Sequence, residues 1–354
     1  MTPAQLPSHR LHSQRLAAST LTNPADVVRW LGAVQAQEYL GGLWAIGLRT
    51  RHATETTVER AIADRSIVRT WPMRGTLHFV PGEDARWMLE LLAPRVAAAA
   101  AGWLERDYGL DRKAFRRCAE VVARALEGGR RLTREGMYRV LDASRIRTAA
   151  GRHIIWGLAH SGLICFGPRE GKEHTLVLLD EWVPRARRLA REEALAELAR
   201  RYFTSHGPAT AHDFAWWSGL LLRDVAEAIA LAGGHLASVD LAGRTYWASS
   251  SARDGKMPSR CALLLPPFDE FSVAYRDRSA LLSPPHATRA RGLDLLRPTI
   301  VVNGRIVGFW SRRRGGQSSV NLDPFTRLGD SARRAVAAAA RRYCAFVGPA
   351  GDAC

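Results

Sequence analysis

Two glutamines two positions apart, Gln35 and Gln37 in the stretch AVQAQEYLGG, are the residues whose type and spacing first point to chemistry. On a helix, positions i and i+2 diverge by about 200°. On an extended segment they share a side, because the strand repeat is two. A glutamine amide offers one acceptor and two donor hydrogens but takes up no proton near neutral pH. Two such amides aimed at one point suit orienting something small, such as a water molecule or a base edge. A site of this kind positions a water without strongly activating it, which suits a substrate whose leaving group is already good. The same side chains would equally serve to cap neighbouring backbone. Other chemistry has little support in the sequence: HExxH, GxSxG, Walker and GxGxxG patterns are absent, and no pair of cysteines stands at ligand spacing. We therefore expect no metal and no cofactor.

The elements that must position the pair can be read around it. PADVVRWLGAV has helical spacing, and QAQEYLGG runs into two glycines expected to end any helix, so the pair falls at a helix end or in a loop. Along the chain one pattern recurs three times: helices, a basic turn, then a short pair of β-like runs. It is clearest over residues 195–250. There LAELARRYFTSHG, TAHDFAWWSG and LLRDVAEAIALAGG read as three helices, and HLASVDLAGRTYWAS alternates around LAGR as a hairpin does, which is the order of a winged helix. A second copy covers about 115–183, with Thr133 in an N-cap position and a wing turning at GPREGKEH. The first copy, about 10–80, is looser and ends in the wing VRTWPMRGTLHFV. After ARDGKMPSR come short β-rich runs, with Asn303-Gly304 as a strong hairpin signal, and then the helical stretch SARRAVAAAARRYCAFV. The expected class is α+β. The expected division is 1–110 carrying the glutamine pair, 111–190, 191–252, a β-rich region over 253–328 with a basic hairpin, and a C-terminal helix and tail over 329–354.

Charge narrows the partner. The formal net charge is +17 over 354 residues, with a sequence pI near 10.8, and only three of the 51 Lys and Arg residues are lysine. A field of that sign attracts polyanions, nucleic acid foremost, and three winged helices in tandem could line a channel wide enough for double-stranded DNA. Candidate contacts are Arg69 and Arg74 in the first wing, Arg152 beside His153 at the start of a third helix, Arg169 and Lys172 in the second wing, and the triplet Arg312, Arg313 and Arg314 ahead of two glycines. A glycine-flanked basic tip suits a minor groove or a phosphate grip, although a merely solvated tip has the same composition. Five scattered cysteines without a CxxC argue against a disulfide framework and fit a reducing compartment. No secretory apolar region and no run of about 20 apolar residues is evident. A cytoplasmic monomer without membrane attachment is expected.

Five segments in order, LHSQRL, WLGAVQAQEY, RTWPMRGTLHFV, LPPFDEFSVAYRDRS and RPTIVVNGRIVGFW, resemble the bacterial AlkZ-like DNA glycosylases, also catalogued as winged-helix DNA-binding-domain proteins. The similarity runs from about residue 10 to 345. It implies three tandem winged-helix motifs with a small C-terminal β-barrel-like region, forming a concave basic DNA channel. The family signature is Gln-x-Gln, or His-x-Gln in a second branch, and here it falls on Gln35 and Gln37. The resemblance therefore implies a monofunctional glycosylase that hydrolyses the N-glycosidic bond of cationic alkylated purines of the 7-alkylguanine type, bulky adducts and interstrand crosslinks included. Gln37 would orient the water, with Gln35 assisting it or contacting the deoxyribose. Glu38 could supply charge or act as base, although its side chain would point away from an extended 35–37. A lysine Schiff base is disfavoured, because no lysine lies near the motif. The alternative is a non-catalytic winged-helix DNA-binding protein, such as a transcriptional regulator.

Overall fold

The computed structural model describes residues 2–17, 19–146, 148–251, 261–282, 286, 296–312 and 320–348. In chain order the protein opens with α1 (Leu6–Ser13), α2 (Pro24–Leu31), the two-residue strand β1 (Val34–Gln35), α3 (Tyr39–Gly47) and α4 (Glu55–Ala63). The hairpin β2 (Ile67–Met73) and β3 (Thr76–Pro81) leads into the long α5 (Ala85–Tyr108). Then come α6 (Arg112–Leu126), β4 (Leu132–Thr133), α7 (Arg134–Ala143), α8 (Gly151–His160), the hairpin β5 (Ile164–Glu170) and β6 (Glu173–Leu178), and α9 (Leu179–Trp182). A further run holds α10 (Arg191–His206), α11 (Ala211–Ser218), α12 (Leu222–Ala232) and the hairpin β7 (Leu236–Leu241) and β8 (Arg244–Ser249). The last elements are β9 (Ala262–Leu265), α13 (Glu270–Val273), β10 (Thr299–Val302), β11 (Arg305–Arg312), β12 (Val320–Pro324) and α14 (Asp330–Val347). Among the described residues, no helix is long and apolar enough to cross a membrane. Cys118, Cys165 and Cys261 are buried free thiols.

The chain gathers into two compact units, Met1–Val58 with Leu195–Cys354, and Glu59–Ala194. In the second unit the strands run in the order β3-β2-β5-β6-β4, all antiparallel. The two hairpins that the sequence presents as separate wings therefore share one sheet, joined where Arg69 pairs with Phe166. The apolar faces of α5, α6, α7 and α8 close over it through Leu104, Val122, Leu141, Ile154, Leu158 and Phe166. Thr133 caps α7 as expected, accepting from the Gly136 N–H, and Asp111 starts α6 in the same way by accepting from the Ala114 N–H.

In the first unit, α10, α11 and α12 precede the β7–β8 hairpin in the expected order. Thr210 and Asp213 form a reciprocal capping box at the start of α11, and Gly219 ends it at φ 78°. Tyr202, Phe203, Phe214 and Trp217 are wholly buried between these helices. The C-terminal β-rich part differs from the barrel-like expectation. Its described strands form an open antiparallel sheet in the order β12-β11-β10-β9, with β12 and β9 as edges. The Asn303-Gly304 turn is as expected: φ values of 50° and 79° give the two-residue geometry that matches strand twist. Four short strands do not close a barrel. Instead α14 covers the sheet, with Tyr343 edge-on to both Trp310 and Trp44.

A second difference concerns the glycines after the glutamine pair. Gly41 and Gly42 do not stop a helix; they lie in the first turn of α3. Packing explains this. A Cβ on Gly41 would stand 2.6 Å from Glu38 Oε2 and 3.1 Å from Pro267 Cδ, and one on Gly47 would stand 2.3 Å from the Phe346 ring. By helix propensity alone, Gly47→Ala should stabilise by about 1 kcal/mol. Overpacking of a buried contact costs about 1–3 kcal/mol, so we expect the variant to melt below the wild type. A higher melting temperature would show that Phe346 yields freely.

Candidate functional site

The glutamine pair lies in the connection between α2 and α3. Asn23 caps α2 by accepting from the Ala25 N–H, Pro24 occupies the first turn, and Gly32 ends the helix at φ 80°. The backbone then extends through Val34–Gln35 and turns at Glu38, whose carboxylate caps α3 by accepting from the N–H groups of Leu40 and Gly41. The Glu38 oxygens are thus engaged at a helix N-terminus, where a negative charge is favoured. The two glutamines lie at different depths. Gln35 is only 6% exposed, whereas Gln37 is exposed to solvent, with Ala36 wholly buried between them. Of the two, Gln37 alone is exposed at the surface.

Behind Gln35 lies a buried polar cluster that sequence reading did not assign. Glu270, wholly buried, accepts from the Gln35 backbone N–H at 2.8 Å and from Trp217 Nε1–H at 2.9 Å, one bond to each carboxylate oxygen. His206 Nε2 stands 3.5 Å from the same carboxylate. Burial pulls the His206 imidazole below its ordinary pKa, although Glu270 pulls the other way. We take the ring as neutral, since desolvation is the larger effect. Next in sequence, Asp269 forms a forked pair with Arg49, 2.8 Å from each Nη, and all four oxygens and nitrogens are sealed from solvent. The remaining Arg49 donors go to Gln14 O, Gln14 Oε1 and Ala45 O. Gln14 in turn donates to Glu270 O and Tyr275 Oη. Arg10 lies over the Tyr275 ring and 3.5 Å from Asp213. The cluster thus brings the carboxyl groups of Asp213, Asp269 and Glu270 together with the guanidinium groups of Arg10 and Arg49, behind the glutamine strand. The signal available in sequence was the apolar setting of these charges: adjacent acids in PPFDEF, and an arginine closing LWAIGLRT. Charges in such runs are buried and paired.

The basic candidates fall into groups. In the second unit Arg74 sits at φ 54° in a two-residue turn with Gly75 at φ 71°. Its guanidinium lies 3.3 Å from His78 Nε2, and His78 Nδ1 contacts Thr76 O at 2.9 Å. Arg74 and Arg152 line one cavity. Lys172 is exposed in the β5–β6 turn. Arg69 departs from the expectation of a surface contact. It is 5% exposed, lies over Phe166, and approaches His174 Nε2 at 3.3 Å. Arg169 is half-buried and ion-paired with Glu59. Burial, then the charges of Arg69, Arg169 and Arg134, push the His174 pKa down to about 4. In the first unit Arg312 is exposed at the end of β11, whereas Arg313 and Arg314 lie outside the described residues.

Residues 28–346 match the family model described as DNA glycosylase AlkZ-like. A curated protein of Streptomyces sahachiroi, an interstrand DNA cross-link repair glycosylase, is 28% identical over 322 residues, 85% of each chain. Among solved structures, the Streptomyces sahachiroi DNA glycosylase AlkZ superposes with a TM-score of 0.81 at 25% identity, covering 97% of both chains.

Proposed function

Because this chain belongs to the AlkZ-like DNA glycosylase family and is a DNA glycosylase, we propose that it hydrolyses the N-glycosidic bond of cationic 7-alkylguanine-type purines in duplex DNA. Bulky adducts and interstrand crosslinks are within that substrate class, in keeping with the name of its Streptomyces relative. The observation that carries the reading is an exposed neutral amide, Gln37, next to a strand whose backbone is held by the buried Glu270 carboxylate. Alkylation at ring nitrogen 7 makes the purine a cation. The C1′–N9 bond then breaks with its electron pair passing to the purine, which leaves neutral and needs no general acid. The sugar becomes an oxocarbenium-like cation, favoured by fixed negative charge and by an oriented water on its free face. Gln37 accepts a hydrogen bond from that water and aims its oxygen at C1′; the water's proton is lost to solvent after attack. Gln35, at the strand's inner edge, sets the position of Gln37. We read the three helix-and-hairpin stretches as winged helices, and assign DNA contacts to Arg74, Arg152, Lys172 and Arg312, which reach solvent. Arg69 and Arg169 are read as supports beneath them.

The test is incubation with duplex DNA carrying 7-methylguanine, with chromatography of the released base. Free 7-methylguanine and an alkali-labile abasic strand are expected. Tight sequence-specific binding with no released base would favour a DNA-binding regulator instead.

A further inference from the structure

A cavity of about 620 Å³ in the second unit takes no part in the chemistry at Gln37, although Arg74 and Arg152, read above as DNA contacts, stand in its wall. It opens among the tip of the β2–β3 hairpin, α5, the start of α7 and α8. Three indoles border it, Trp71, Trp103 and Trp156, together with three guanidinium groups, Arg74, Arg134 and Arg152, and among the described residues no acidic one lines it. Each indole is half-buried and braced by another ring: Trp71 by Phe166, Trp103 by His153, Trp156 by His160. Such rings are rigid platforms that lose little entropy when something stacks on them. Arg134 and Arg152 are exposed, and Arg74 is steadied by His78. If His78 Nδ1–H donates to Thr76 O, its Nε2 is left to accept from Arg74. Small side chains, Ala99 and Ala100, keep the interior open.

Flat π-faces beside guanidinium groups select a ligand that is an aromatic ring carrying an anion. A base inside a duplex hides both faces in the stack, so intact double helix presents only the anion. An unpaired nucleotide presents both parts, and the volume lies within the range of sites for ligands of that size. We propose that this cavity binds one unpaired nucleotide of a DNA strand, its base against the indoles and its phosphate on Arg74, Arg134 and Arg152. The proposal rests on the reading of the chain as a DNA-acting enzyme but is independent of the chemistry at Gln37. It gives the protein a hold on strands that damage or a crosslink has locally opened.

The experiment uses the full chain and a fluorescein-labelled single-stranded oligonucleotide of ten thymidines, with affinity read by anisotropy across a salt series. Trp156→Leu should weaken binding about tenfold, the scale of one lost base–aromatic stack. The double variant Arg134→Gln/Arg152→Gln, made at exposed positions and so expected to fold, should weaken it at least as much and lower the salt slope by about one. Wild-type affinity and slope in both variants would overturn the proposal. So would displacement of the oligonucleotide by thymidine monophosphate at equal concentration, which would assign the site to free nucleotides. Base release from 7-methylguanine duplex is followed in parallel. Normal release with unchanged single-strand binding in the variants sinks this proposal alone, and cavity-dependent binding without any release sinks the catalytic reading alone.

Discussion

Replacing Gln37 by alanine should abolish release of 7-methylguanine, by about 100-fold or more, while duplex affinity stays within a few-fold of wild type. The size follows from removing one group that acts only on the developing transition state; loss of a single such contact costs roughly 10²–10³ in rate. Folding should be little affected, because Gln37 is exposed. The amide also makes a pH prediction. A glutamine does not titrate, so the wild-type rate carries no limb from residue 37. Gln37→Glu replaces it with a carboxyl of ordinary pKa about 4.3, ionised above that value and neutral below it. The rate of that variant should therefore fall as pH drops through about 4–5, relative to wild type in the same buffers. Single-turnover release assays on one methylated duplex measure both effects. Wild-type release by Gln37→Ala would remove the residue from the mechanism. Loss of release together with loss of duplex binding would make it a binding residue.

The second large effect is on stability. Asp269→Ala leaves the Arg49 guanidinium buried with its forked partner gone. Breaking a sealed pair by removing one member costs about 3–5 kcal/mol, since the surviving charge stays desolvated. In a unit of this size that lowers the melting temperature by roughly 6–20 °C. Glu135→Ala provides the contrast, because its pair with Arg139 is 70–81% exposed and should change stability by less than about 1 kcal/mol. Asp269 also caps α13 through the Phe271 N–H, directly ahead of Glu270. Base release should therefore fall further than the folded fraction does, as the Gln35 strand loses its anchor. Thermal unfolding by circular dichroism decides the first point, and release normalised to folded protein decides the second. A melting temperature within a degree or two of wild type would show that water reaches Arg49.

Local features of the chain were legible because their causes are local. The helix over PADVVRWL forms, Thr133 and Thr210 cap, and Asn303-Gly304 turns, since each depends on a few neighbouring backbone groups. The extended Val34–Gln35 after Gly32 was readable for the same reason. The glycine rule misled at Gly41 and Gly42. There the absence of a side chain serves close approach to Pro267 and Glu38, and that need is invisible along the chain. A basic residue on a wing likewise looks like a contact. Arg69 is buried because its strand lies inside a sheet shared by two hairpins.

By itself the sequence determined the identity and spacing of the glutamine pair, the helix and hairpin order, the excess of positive charge and the resemblance to the glycosylase family. Tertiary structure alone decided the depth of each glutamine, the fate of each arginine, and the partner that holds the pair. Gln35 and Glu270 are 235 residues apart, and their hydrogen bond exists only because α13 packs against the strand. Periodicity and propensity act over a few residues, whereas burial and charge pairing depend on which distant segments the fold brings together.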